Sequence, residues 1–228
     1  MKQTLTILLA LCLMLALAAC GENGQTTDSS TKAPETTQGS APETTGAGTT
    51  EIRGKVESDA YVNEYLNLRV ERPQSWTFYS EDQIAEMNSY TTEMFEETDI
   101  ADIVKQAGQA TDMMMADADS NSVNLILQPS QASLEKLSDE QIFQLSEMTV
   151  KTQLNSVGWT LDKYEALTMQ VGGVERSVLH MAVTANGVSF DEYQLWLRPG
   201  GDYMATLTLA VQKDVDPQPI LDGIKTLH

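Results

Sequence analysis

Val178-Leu179-His180-Met181-Ala182-Val183-Thr184-Ala185-Asn186-Gly187-Val188-Ser189-Phe190 is the stretch whose reading decides the fold. Asn186-Gly187 is a hairpin turn signal, because both residues tolerate the positive φ that a tight two-residue turn needs. Residues 175–184 and 189–197 on either side then read as paired strands. Outward from them, Pro199-Gly200-Gly201-Asp202 turns the chain again and residues 203–211 return. On the other side, residues 159–164 supply one more strand. Strands joined by such short turns must run antiparallel.

Ahead of this meander the pattern alternates between strands and helices. Residues 65–70 lead through Pro73 into Trp76-Thr77-Phe78-Tyr79, which reads as two strands around a turn. Ser80-Glu81-Asp82-Gln83 has the spacing of a capping box, and Ile84, Met87, Met94 and Phe95 follow at helical intervals. Residues 99–107 predict a second short helix, ending at Gly108. Residues 113–116 and 123–127 read as a hairpin around a polar loop. Ser138 caps the next helix, with Gln141 completing its capping box, Leu137 placed to staple against Ile142, and Gly158 to end it. Asp216-Pro217 predicts a final helix with Ile220, Ile224 and Leu227 as its stripe. The order β-β-α-β-β-α-β-β-β-β-α means an α+β domain, helices packed on an antiparallel sheet.

Tyr65-Leu66-Asn67-Leu68-Arg69-Val70 followed by Pro73-Gln74-Ser75-Trp76, with a terminal helix after the meander, resembles the PsbP-like/Mog-like superfamily over residues 61–228. Relatives carry Gly where Asn67 and Ser75 stand here. The resemblance implies a three-layer α/β/α sandwich around an antiparallel sheet of six to seven strands. It implies accessory or partner-binding roles and brings no shared catalytic residues.

The N-terminus has its own logic. Lys2 precedes a 14-residue apolar run at residues 5–18, broken only by Thr6. That suits the core of a secretory signal and is shorter than the ~20 residues a membrane span takes. Leu17-Ala18-Ala19-Cys20 resembles a lipobox. The resemblance implies a signal at residues 1–19, cleavage between Ala19 and Cys20, and a diacylglyceryl anchor on the Cys20 thiol. Residues 21–50 contain no Val, Leu, Ile, Met or aromatic residue and repeat Ala-Pro-Glu-Thr-Thr at 33–37 and 41–45. Such a segment cannot bury enough surface to fold, so residues 20–50 are expected to tether a single domain at residues 51–228. The expected location is the outer face of the cytoplasmic membrane.

Composition narrows the function classes. Cys12 lies within the signal, so the mature chain has no thiol besides the lipidated one, which excludes disulfides and thiol catalysis. Without Lys2, 33 acidic residues stand against 13 basic, a formal charge of −20. That argues against nucleic acid, which needs clustered Lys and Arg. The balance suits solubility, or attraction of cations or of a basic partner.

Four constellations were weighed for chemistry. Asp117-Ala118-Asp119-Ser120-Asn121 opens like a calcium loop, so Asp117, Asp119 and Asn121 are candidate metal ligands. Ser122 and Gln128 stand where that loop needs Gly and Glu, and a polar hairpin tip explains the residues as well. Glu93, Glu96, Glu97, Asp99 and Asp102 gather at a helix junction and read as a solvated helix end. His180 sits mid-strand in phase with Val178 and Ala182, a packed or half-exposed strand histidine. Met113-Met114-Met115 reads as core, with Met114 on the opposite sheet face from its neighbours. No catalytic residue and no cofactor is expected. The expected function is a lipid-anchored, non-catalytic module that contacts an envelope protein or surface component. A solute- or cation-binding lipoprotein is the alternative, and an enzyme with an unrecognised site comes third.

Overall fold

The computed structural model describes residues 52–94 and 110–228. The signal, Cys20, the tether, the helix expected at 99–107, Phe95, Glu96, Glu97, Asp99, Asp102 and the side chains of Glu93 and Met94 lie outside that description.

At the centre is a seven-stranded antiparallel sheet. It is built from β4 (Thr77–Phe78), β5 (Ala110–Ala116), β6 (Ser122–Pro129), β7 (Thr160–Val171), β8 (Val174–Ala185), β9 (Val188–Leu197) and β10 (Tyr203–Gln212). Their lateral order is β4-β5-β6-β10-β9-β8-β7. The meander is where the sequence put it, with Asn186 and Gly187 at φ 53° and 81° in the β8–β9 turn. α1 (Glu81–Met94) and α2 (Asp139–Ser156) cover one face. Both start with the expected capping boxes: the Ser80 and Ser138 hydroxyls accept from the Gln83 and Gln141 amides, whose side chains accept back from the two serine amides. Leu137 and Ile142 share one apolar cluster, as the staple requires.

A second sheet covers the other face. β1 (Lys55–Glu57), β2 (Ala60–Asn63), β3 (Leu68–Glu71) and β11 (Ile224–Thr226) lie in the order β1-β2-β3-β11, accompanied by the one-turn helix α3 (Gln218–Leu221). The molecule is thus an α+β sandwich of three layers, with a small sheet as most of the third. Each interlayer space holds its own core. Met87, Ile142, Phe143, Val150 and Leu154 meet Met114, Leu179 and Met181 beneath the helices. Tyr61, Leu68, Val70 and Ile224 meet Met113, Met115, Leu125 and Leu207 beneath the small sheet. The three methionines are core, split between the two faces as alternation demands.

Three expectations are corrected. The strand expected at 65–70 begins only at Leu68, because Asn63 starts a turn: its Oδ1 accepts from Leu66 N at 2.8 Å, and Asn67 sits at φ 53°. β3 and β4 do not pair around Pro73 but join different sheets. The helix expected after Asp216 stops at Leu221, and Ile224 pairs with Val70 in a strand instead. Ile220 and Ile224 are four apart, which a helix stripe explains, but a single turn followed by a strand buries them equally well. The Gly172 backbone abuts this crossing, where a Cβ would stand 2.1 Å from the Ile224 carbonyl oxygen.

Candidate ligand site

Lateral order, not sequence proximity, assembles the site. β10 lies between β6 and β9, so Asn124, Thr208 and Gln194 are cross-strand neighbours in a single row. Adjacent strands are about 4.8 Å apart, so three strands bring the row within ~10 Å. The next row is Ile126, Thr206 and Trp196, and the row on the other side is Ser122, Ala210 and Glu192. All share the phase of Phe190, Met204 and Ala210, which face the helices. α1 packs on β5 and α2 on β7 and β8, so these rows lie under the strip between the two helices.

These polar side chains are buried without partners among the described residues. Glu192 is 0% exposed and both its carboxyl oxygens lack a donor. Both side-chain polar atoms of Asn124, the Gln194 Nε2, the Trp196 Nε1, the hydroxyls of Thr206 and Thr208, and the Gln153 Oε1 from α2 are equally unpaired. A buried polar group left unpaired costs about 1–3 kcal/mol. Nine such atoms would together cost as much as the ~5–15 kcal/mol stability of a whole domain. A cost of that size means these groups need partners beyond the described residues, such as water or a ligand. Burial pushes the Glu192 carboxyl up to about 8, so alone it stays protonated at neutral pH and both donates and accepts. The buried neighbours on this face are apolar, among them Met114, Leu179, Met181 and Phe143, whose ring meets Trp196 edge-on at 6.3 Å. Farther along the same face, a surface cleft of about 440 Å³ opens at Ser130, Leu134, Glu135, Arg198 and Met204. Met204 is two residues from Thr206, about 7 Å along β10.

Sequence reasoning missed this cluster. Its signal was present as Glu192, Gln194, Thr206, Thr208 and Asn124 standing in the apolar phase of their strands. Only the order β6-β10-β9 converts those scattered oddities into a row.

The residues the sequence did single out lie elsewhere. Asp117, Asp119 and Asn121 form the tip of the β5–β6 hairpin. Asp117 Oδ1 accepts from the amides of Asp119 and Asn121, both at 2.9 Å, and its Oδ2 accepts from Asn121 Nδ2 at 2.8 Å. Asn121 Oδ1 in turn accepts from the Gln212 amide at 2.8 Å. The side-chain oxygens of Asp117 and Asn121 thus serve the chain's own amides, and among the described residues no group of three or more His, Cys, Asp and Glu is placed to hold a metal. His180 is buried on the opposite sheet face, stacked on Tyr193. Its Nδ1 lies 3.1 Å from Glu165 and its Nε2 2.8 Å from Asp191, so neither nitrogen is turned toward a nucleophile. Lys163 and His180 hold the Glu165 carboxyl below its ordinary value.

A second buried carboxylate is fully served. The bulge between Thr111 and Met113 redirects Asp112 toward the small sheet. There it accepts from Arg53 Nε at 2.7 Å, from the Gly54 amide at 2.9 Å and from the Tyr61 hydroxyl. Asn63 completes the network by donating to Tyr61 at 2.9 Å and to the Ile52 carbonyl at 3.0 Å.

No family model and no curated protein matches the chain. Solved structures similar to it include two of low identity. One is the solution structure of cyanobacterial PsbP (CyanoP) from Synechocystis sp. PCC 6803, at 12% identity, 82% of this chain, 99% of that chain and a TM-score of 0.42. The other is LpqN, involved in cell envelope biogenesis of Mycobacterium tuberculosis, at 12% identity, 68% of this chain, 76% of that chain and a TM-score of 0.36. Likeness of this degree carries nothing about activity, ligand or partner.

Proposed function

We propose that this protein is a lipid-anchored extracytoplasmic module that binds rather than catalyses, and that it holds a small solute among the polar groups of β6, β10 and β9. The observation that carries the reading is the set of nine buried polar atoms without partners among the described residues. Convergent polar groups within an apolar surround are the usual make-up of a small-molecule site. The apolar run at 5–18 and the Leu17-Ala18-Ala19-Cys20 motif support secretion and anchoring, and the composition of residues 21–50 supports a flexible tether. His180, with both nitrogens facing carboxylates, supports a non-catalytic role.

Native mass spectrometry of the protein extracted from its own membranes tests the solute reading. A non-covalent small molecule, lost on denaturation, is expected. Its absence, together with a high-resolution structure in which ordered water alone bridges the rows, would overturn it. Cys20→Ser is expected to release the protein from the membrane fraction, and unchanged retention would remove the anchor.

One observation favours the other reading, contact with an envelope protein. Leu145 and Met148 stand three residues apart on α2 and are 66% and 73% exposed. Crosslinking from a photoreactive residue at position 148 in intact cells is expected to capture one discrete partner if this surface docks, and to give only diffuse products if it does not.

A further inference from the structure

We infer that the solute held in this site is a cation carrying a protonated amine, and that the Glu192 carboxylate is its anchor. The inference rests on the solute reading above and adds the chemical class of the ligand.

Glu192 is the only acid or base among the partnerless groups. The residues that register places beside it, Met181 on β8 and Ala210 on β10, carry no charge. Among the described residues, the buried side chains of α1 and α2 include no titratable group. The phenols on this face, Tyr79 and Tyr164, are pushed up by burial and stay neutral. Arg198, just past the end of β9, is committed elsewhere: it donates to the carbonyls of Leu134 and Leu137 at 3.0 and 2.9 Å and to Asp139 at 2.5 Å. The chain therefore buries an acid and places no described positive charge against it.

A neutral hydrogen-bonding ligand would not need an acid there. Gln at the same position would donate and accept without any ionisation cost. A carboxyl is favoured over an amide only where its charge is used, and an ammonium uses it: ion pairing strengthens as water is excluded. The surround suits such a ligand. Phe190, two residues before Glu192 in the same phase, packs edge-on against Trp159 at 5.9 Å, and Trp196 lies two residues beyond Gln194. Aromatic rings tolerate a cation better than aliphatic walls do. The formal charge of −20 for the mature chain raises the local concentration of cations.

The proton balance is simple. The carboxylic acid of Glu192 meets an ammonium, an ion pair forms, and the carboxyl proton leaves to solvent. No covalent bond to the ligand forms or breaks. Affinity for an ammonium ligand should therefore rise with pH while Glu192 is protonated in the free protein, by about tenfold per pH unit, and level off above about 8. A neutral ligand that accepts from the acid form would show the opposite trend.

Isothermal titration calorimetry of the full chain in detergent tests this, with 2-phenylethylamine and n-butylamine against 2-phenylethanol and n-butanol as uncharged matches. Expected are binding of an amine and not of its alcohol, release of one proton measured across buffers at about pH 6–7, and the stated rise in affinity with pH. Glu192→Gln should abolish amine binding while keeping a cooperative melt. Glu192→Asp should weaken binding but keep the pH trend. Equal binding of amine and alcohol, amine binding undiminished in Glu192→Gln, or a flat pH profile would each overturn the ammonium inference and leave the solute reading standing. Failure of both amines and both alcohols to bind overturns the ammonium inference, and native mass spectrometry then decides the solute reading separately.

Discussion

Asp112 and Glu192 are buried carboxylates of the same sheet, on opposite faces, and the fold treats them in opposite ways. Asp112 accepts from three donors on the strand, turn and loop that begin the folded domain. Glu192 has none. The first arrangement fixes structure, since every lone pair in use ties down a piece of chain. The second holds free hydrogen-bonding capacity at a cost in stability, which makes sense where something else is meant to be bound. The contrast separates a structural polar group from a functional one without reference to residue type.

The comparison can be broken at four points. Asp112→Ala should have the largest effect, a loss of about 4 kcal/mol in urea denaturation, because the Tyr61 hydroxyl and the Gly54 amide lose their acceptor together. Faster tryptic cleavage after Arg53 should accompany it. A loss below about 1 kcal/mol would mean the network is dispensable.

Glu192→Gln should act in the other direction. The unfolded chain releases this proton near 4.5 and the folded chain near 8. Between those limits the folded state holds the extra proton, so stability falls as pH rises, and the loss is complete above about 8. Gln removes this dependence and should stabilise the ligand-free protein by on the order of 3 kcal/mol at pH 7. Parallel stability–pH curves for the two proteins would show that Glu192 is already paired.

Tyr61→Phe removes one donor from Asp112 and one acceptor from Asn63, and should cost about 2 kcal/mol in the same denaturation experiment. Thr208→Val should be the mildest, a gain of about 1 kcal/mol, because it deletes a hydroxyl that has no partner and keeps the shape. A cost from Thr208→Val would mean that an ordered water already satisfies the row.

Much of the fold was legible because its signals are local. Asn186-Gly187 encodes its turn through backbone sterics, and Ser80/Gln83 and Ser138/Gln141 encode helix starts through bonds three residues long. The alternation around His180 and Met114 correctly assigned sheet faces. The small sheet was not legible. Its strands are three or four residues long, and β11 pairs with β3 across more than 150 positions, so neither periodicity nor turn chemistry announces it. The bulge that redirects Asp112 left no local mark either. The Asp117 loop shows the converse: a run that looks like a ligand set, whose Asp117 and Asn121 side chains serve their own backbone and that of Gln212.

What the sequence determined by itself was therefore the α+β class, the meander, the helix caps and the expectation of a signal, an anchor and a tether, all written in neighbours a few residues apart. What only the tertiary structure decided was which strands lie side by side. Strand order is set by the combined burial of two sheet faces, a property of the whole chain. On that order depends whether Asn124, Gln194 and Thr208 are three isolated polar residues or one row beside Glu192 in search of a partner.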